Sequence, residues 1–204
     1  MGINKNIFNS ARLKKAVLML YILLITILAY SQKIAVKTNL LYDATTTFNL
    51  GLEFGLSSKW TLDLSGNYNP WTFSANKKWK HWLIQPEFRY WFCEKFNGHF
   101  LGAHLLGGQF NFGHIKTSIR LFHSDFSGLR DYRYEGWAAG GGIVYGYSWI
   151  LSRHWNLEAA LGIGYLYAWY DKYKCQRCGE KIEGNKKHNY FGPTKAAVNL
   201  IYVF

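Results

Sequence analysis

From residue 33 to the C-terminus, apolar and polar residues alternate with a period of two in eight blocks: 33–43, 48–56, 60–68, 82–92, 101–112, 137–149, 155–169 and 192–204. That period places successive side chains on opposite faces of a strand. In the second block Phe48, Leu50, Leu52, Phe54 and Leu56 oppose Asn49, Gly51, Glu53 and Gly55. In the seventh, Trp155, Leu157, Leu161, Ile163, Tyr165, Tyr167 and Trp169 oppose Asn156, Glu158, Ala160, Gly162 and Gly164. The last runs Ala196, Val198, Leu200, Tyr202 and Phe204 along its apolar side. Tight turns at 57–59, 93–98 and 152–154 alternate with links at 44–46, 69–80, 113–134 and 171–189, which predicts an antiparallel meander whose last strand, 192–204, closes on 33–43.

Two positions resist the pattern. Pro86 falls on the apolar side of the fourth block, where it removes a ladder hydrogen bond unless it sits at a bulge. In the fifth block Leu101, Ala103 and Leu105 share one parity and Phe110 and Phe112 the other, so a bulge at Gly107 and Gly108 is expected, turning His104 inward.

Alternation alone does not say whether the apolar face meets lipid or a core, since a soluble barrel or sandwich has the same period. The distribution of aromatics does. Trp60, Phe92, Phe100, Trp149, Trp155 and Phe204 gather beside the tight turns, and Tyr42, Phe48, Tyr68, Trp82, Trp137 and Trp169 beside the longer links, as in the two girdles of a membrane-spanning barrel. The opposite face is mostly Gly, Ala, Ser and Asn, which suits the narrow interior of eight strands. The predicted fold is all-β: an eight-stranded antiparallel up-and-down transmembrane β-barrel in the outer membrane, with Tyr202 and Phe204 as its insertion signal. Outer-membrane lipid and the barrel-insertion machinery are then its expected partners, and the barrel is expected to act as a monomer.

The N-terminus fits export. A basic segment (Lys5, Arg12, Lys14, Lys15) precedes an apolar run from 16 to 29, shorter than a spanning helix, and Ala29 and Ser31 offer small residues for cleavage. Residues 1–31 are read as a cleaved signal peptide and 32–204 as the barrel domain. Removing four cations and no acid lowers the net charge from +12 to +8. A basic exported protein is expected to meet anionic lipid or polysaccharide and no nucleic acid.

Candidate chemistry is sparse. Lys37, Asp43, Glu53, Asp63, Glu87, Arg89 and Glu158 fall on the inward parity, and in a narrow barrel such charges must pair; an interior ion-pair network is expected. Cys175 and Cys178 form a C-x-x-C pair, a disulfide or a free thiol pair, with a two-thiolate metal clasp through His188 or a second copy as the alternative, while Cys93 stands alone at the other end. No metal or other cofactor is expected. The links are basic and aromatic: Lys77, Lys78 and Lys80 with Trp71, Phe73 and Trp79, then Arg130 and Arg133 with Tyr132 and Tyr134. Trp71, Trp79, Lys77, Lys78, Arg130 and Arg133 make a candidate docking surface for a surface protein or polysaccharide. His104, His114, His123, Ser118 and Ser124 are the parts a lipid-modifying hydrolase would use, but none lies in a recognisable motif, and no catalytic residue is assigned.

The segments LLYDATTTFNLGLEFGLSSKWTLDLSGNYNPWTFSANKKWKHWLIQPEFRYWFCEKFNGHF, LRDYRYEGW, DKYKCQRCGEK and NYFGPTKAAVNLIYVF resemble a family of small exported Gram-negative proteins catalogued as a domain of unknown function. The resemblance covers nearly all of 32–204. It implies an outer-membrane barrel, in some members accompanying genes for fimbria or adhesin assembly, and carries over no catalytic residue. A structural or binding role at the cell surface is therefore expected, with an outer-membrane lipid hydrolase as the alternative.

Overall fold

The structure, a computed structural model, describes residues 33–74, 77–115, 120–121, 124–125, 127–174 and 179–204 together with Met19. The proposed signal peptide, Cys175 and Cys178 lie outside the described residues, as do Ser118 and His123.

Eight long antiparallel strands form one closed ring. They are β1 (Ile34–Asn39), β2 (Phe48–Gly55), β3 (Trp60–Asn69), β4 (Lys78–Trp91), β5 (Gly98–Gly113), β8 (Arg133–Ile150), β9 (Trp155–Tyr173) and β10 (Lys181–Val203). The ring closes where β10 pairs with β1, from Ala35 opposite Val203 to Asn39 opposite Asn199. A two-residue hairpin, β6 (Arg120–Leu121) with β7 (Ser124–Asp125), and a 3-10 turn at Ser127–Arg130 decorate the link between β5 and β8.

Several expectations change. The first strand stops at Asn39, whose side chain accepts a hydrogen bond from the Leu41 amide and caps a short helix, α1 (Leu40–Ala44). Leu40 and Tyr42 therefore leave the barrel wall, and Tyr42 lines the interior mouth instead of an outer girdle. Four strands run well past their expected ends on the link side: β4 begins at Lys78, β8 at Arg133 and β10 at Lys181, and β9 reaches Tyr173. Each finds a neighbour to pair with there, so the basic residues Lys172, Lys181, Lys186 and Lys187 sit on strands.

The expected bulge at Gly107 and Gly108 is absent. The ladders of β5 with β4 and with β8 keep constant register through both glycines. His104 points inward all the same, because Leu101, Ala103 and Leu105 hold the outer face, and Phe110 and Phe112 simply share the inner parity near the mouth. Pro86 sits in a gap of the β4–β5 ladder between Ile84 and Glu87, without a register shift. The register shifts that do occur are in β10, two near its start between Lys181 and Lys186 and one beside another proline, between Pro193 and Lys195.

The burial profile is inside out relative to a water-soluble domain. Leu50, Leu105 (66% exposed), Ile143 and Leu161 (72% exposed) cover the outer wall. Lys37, Glu53, Asp63, Glu87, Arg89 and Glu158 are buried within the ring.

Candidate functional site

Three layers fill the interior. At the tight-turn end Trp91, Phe96 and Phe100 form an apolar plug with Val144, Ile201 and Val203; Trp91 and Phe100 have ring centroids 4.8 Å apart. Phe100 was expected in an outer girdle, but its even parity in β5 makes it an interior residue. Its ring occupies the space over Gly146, where a Cβ would come within 2.4 Å of it. The interior is therefore less uniformly small than the sequence suggests.

Above the plug lies the charged layer. The Arg89 guanidinium, over the Phe100 ring at 4.4 Å, donates to Glu87 (2.6 Å), Glu158 (2.8 Å), Asp63 (2.9 Å) and Glu53 (3.0 Å). Lys37 pairs with Glu53 and lies 3.4 Å from Asp63. Its stem passes over Gly51, at which any Cβ would collide with it. Six of the seven charged residues placed on the inward parity are thus in one cluster. Asp43 is not: it sits exposed on α1, accepting from Thr38 at 2.9 Å and Asn49 at 2.7 Å.

Lys195 completes the cluster, 2.6 Å from Glu87, and had not been foreseen. The bulge after Pro193 breaks the parity of β10, yet stepping back from Asn199 through Ala197 reaches Lys195 on the inner side. Around these ions, Thr61 donates to Glu53, Trp91 Nε1 donates to Thr61 at 2.9 Å, and Asn199 donates to Glu158 at 2.7 Å. His104 is opposite Glu87 in the ladder and buried, with neither ring nitrogen hydrogen-bonded. Its imidazole is therefore not paired with a serine.

The third layer is the link-side mouth. A cavity of about 30 Å³, lined by Asn39, Tyr42, Asp63, Asn67, Gln85 and Asn199 among others, holds room for about two waters. Beyond it the inner wall is aromatic: Trp79 lies 4.9 Å from Phe112, His81 5.9 Å from Phe112, and Tyr134 5.4 Å from Tyr170.

The residues assigned to one docking surface divide. Trp79 turns inside. Trp71 is exposed, against Phe48 at 6.0 Å, and its indole donates to the Thr46 carbonyl at 2.9 Å. Lys77 and Arg130 are exposed at the rim. Lys78 and Arg133 lie on the outer wall, each aligned with Gly113 in the ladders of β5. Burial, followed by the charges of Arg133 and Lys80, lowers the Lys78 pKa from its ordinary value. Phe204 is exposed next to Tyr202, ring centroids 4.9 Å apart, and its amide donates to the Ile34 carbonyl at 2.9 Å. Cys93 is a free, exposed thiol at the tight-turn end.

Residues 17–204 match the model of a family described as a protein of unknown function, DUF3575. No curated protein and no solved structure matches the chain.

Proposed function

The chain belongs to the DUF3575 family, and from its architecture we propose that it is an outer-membrane barrel with a structural and binding role at the cell surface, as an accessory to the assembly of fimbriae or adhesins. One observation carries the membrane reading: large apolar side chains cover the outer wall while the charges are sealed inside. In water such a wall would be a single apolar patch far larger than soluble monomers expose. In lipid it is matched, and the closed ring leaves no unpaired strand edge in the hydrocarbon.

The binding role is supported by division of labour within the fold. The plug and ion cluster rigidify the centre, while exposed Trp71, Lys77 and Arg130 stand at the link-side rim, where a surface partner has access. Cell fractionation with heat-modifiable gel migration tests the location; recovery of a folded protein in the soluble periplasmic fraction would refute it. Crosslinking through the rim in intact cells tests the role, with capture of a fibre or adhesin subunit expected. Capture of nothing but neighbouring lipid would remove the assembly role.

A further inference from the structure

On the outer wall, registers of β4, β5, β8 and β9 align Trp82, Gln109, Trp137 and Trp169 in one cross-strand row. Four residues further toward the link side on each strand, a second row contains Lys78, Gly113, Arg133 and Tyr173. Four residues of a tilted strand rise about 10 Å along a barrel axis, the distance from a girdle tryptophan into the headgroup layer.

Arg133 keeps hydrogen-bonding capacity that none of the described residues takes up at its Nε. Its guanidinium lies over the Tyr173 ring at 4.1 Å, and its Nε is buried without a hydrogen-bond acceptor. Its nearest carboxylate, Glu135, is 3.6 Å from Nη2, too far for a hydrogen bond. The Arg133 stem crosses above Gly113, where a Cβ would come within 3.1 Å of it. Gly113 thus leaves the Arg133 side open toward Lys78, whose charged form is disfavoured by burial and by the like charges of Arg133 and Lys80. Three cations face one carboxylate. Beside them a groove of about 400 Å³ takes Tyr68, Lys80, Trp82, Gln109, Glu135 and Trp137 from the outer face and reaches His81 and Phe110 of the inner parity, with the Trp82 indole donating to Gln109 at 2.8 Å.

We propose that Lys78, Lys80 and Arg133 form a binding site for the phosphate of a lipid headgroup, whose upper acyl and glycerol portions lie in the groove beside Trp82 and Trp137. A phosphate monoester supplies the several acceptor oxygens that crowded cations need, as charge-assisted hydrogen bonds. The same lipid places apolar chain on the tryptophans directly below. The inference rests on the membrane reading, and it assigns this wall, as distinct from the rim above it, to lipid.

The test uses the full chain folded in neutral detergent, mixed with equal amounts of phosphatidic acid and phosphatidylcholine, with bound lipid read by native mass spectrometry. Wild type is expected to retain phosphatidic acid about tenfold over phosphatidylcholine, and the pair Lys78→Gln with Arg133→Gln to lose that preference. Lys59→Gln, at the opposite end, should keep it. Should the double variant fail to fold, Lys80→Gln alone is expected to reduce the preference about threefold. Equal retention of the two lipids by wild type overturns the proposal, as does an undiminished preference in the folded variants. Displacement of phosphatidic acid by millimolar inorganic phosphate would overturn the assignment to lipid. Protein that folds without entering the micelle refutes the membrane reading instead, so the two failures are separable.

Discussion

Arg89 on β4 and Glu158 on β9, 69 residues apart in sequence, meet at 2.8 Å across the interior of the barrel. No ladder joins these two strands. Their contact is a strut across the lumen; Arg89 makes a second one with Glu53 on β2, and it also holds Asp63 on the neighbouring β3 and Glu87 on its own strand.

Removing the strut should therefore cost more than an ordinary core truncation. Arg89→Met leaves four buried carboxylates with two lysines, and loss of one partner of a buried ion cluster costs about 3–5 kcal/mol. Urea unfolding of the refolded barrel in lipid vesicles should show this loss at neutral pH. A midpoint equal to wild type would mean that the cluster stabilises nothing.

Close approach of β8 and β9 sets a second expectation. At Gly164 a Cβ would lie 2.2 Å from the Gly141 carbonyl oxygen and 2.7 Å from the Gly142 Cα, both backbone atoms that cannot swing away. Gly164→Val should prevent ring closure at that point and abolish heat-modifiable migration. A wild-type gel shift for this variant would contradict it.

At the other end, Phe204 is tied to the first strand through the Ile34 carbonyl and to Tyr202 by ring contact. Deleting Phe204 should reduce the yield of inserted barrel in cells while the purified chain still refolds in detergent. Equal insertion with and without it would remove Tyr202 and Phe204 as an insertion signal.

Acidity should loosen the β9–β10 extension beyond the girdle. The hydrogen bond from Lys181, at 2.8 Å, and that from the Asn185 amide hold Asp171 below the usual carboxylate range, and Lys181 is correspondingly raised. A depressed carboxylate contributes above its unfolded pKa and loses that contribution as pH falls through its folded pKa; the raised lysine loses its own as pH rises through its folded pKa. Amide exchange at the tip of the extension should be slowest between those limits and accelerate below the lower one. In Asp171→Asn the acid-side acceleration should vanish; its persistence would assign it to another group.

Cys93 reports orientation. In a Cys175→Ser, Cys178→Ser background, a membrane-impermeant maleimide should label Cys93 only after the outer membrane is permeabilised, because the thiol is exposed at the tight-turn end. Labelling in intact cells would invert the proposed topology.

Alternation determined the strands and set Lys37, Glu53, Asp63, Glu87, Arg89 and Glu158 on one face, because a period of two assigns faces wherever it is unbroken; the turns and links ordered the meander, and the two groups of aromatics turned that face inward. Tertiary pairing decided the rest. Strand ends depend on pairing and capping that no period records: β10 begins at Lys181 because β9 is there to pair with it, while β1 gives way to α1 after Asn39, whose side chain caps the helix although β10 runs on. Lys195 shares the inward parity of Ala197 and Asn199, but only the closed ring brings it within 2.6 Å of Glu87 on β4. Phe100 is interior by its parity in β5, and only the pairing of β5 with β8 shows that Gly146 leaves room for its ring. The joining of Lys78 and Arg133 on one patch of wall required two ladders across β5, a relationship between residues 55 positions apart in sequence that no local pattern contains.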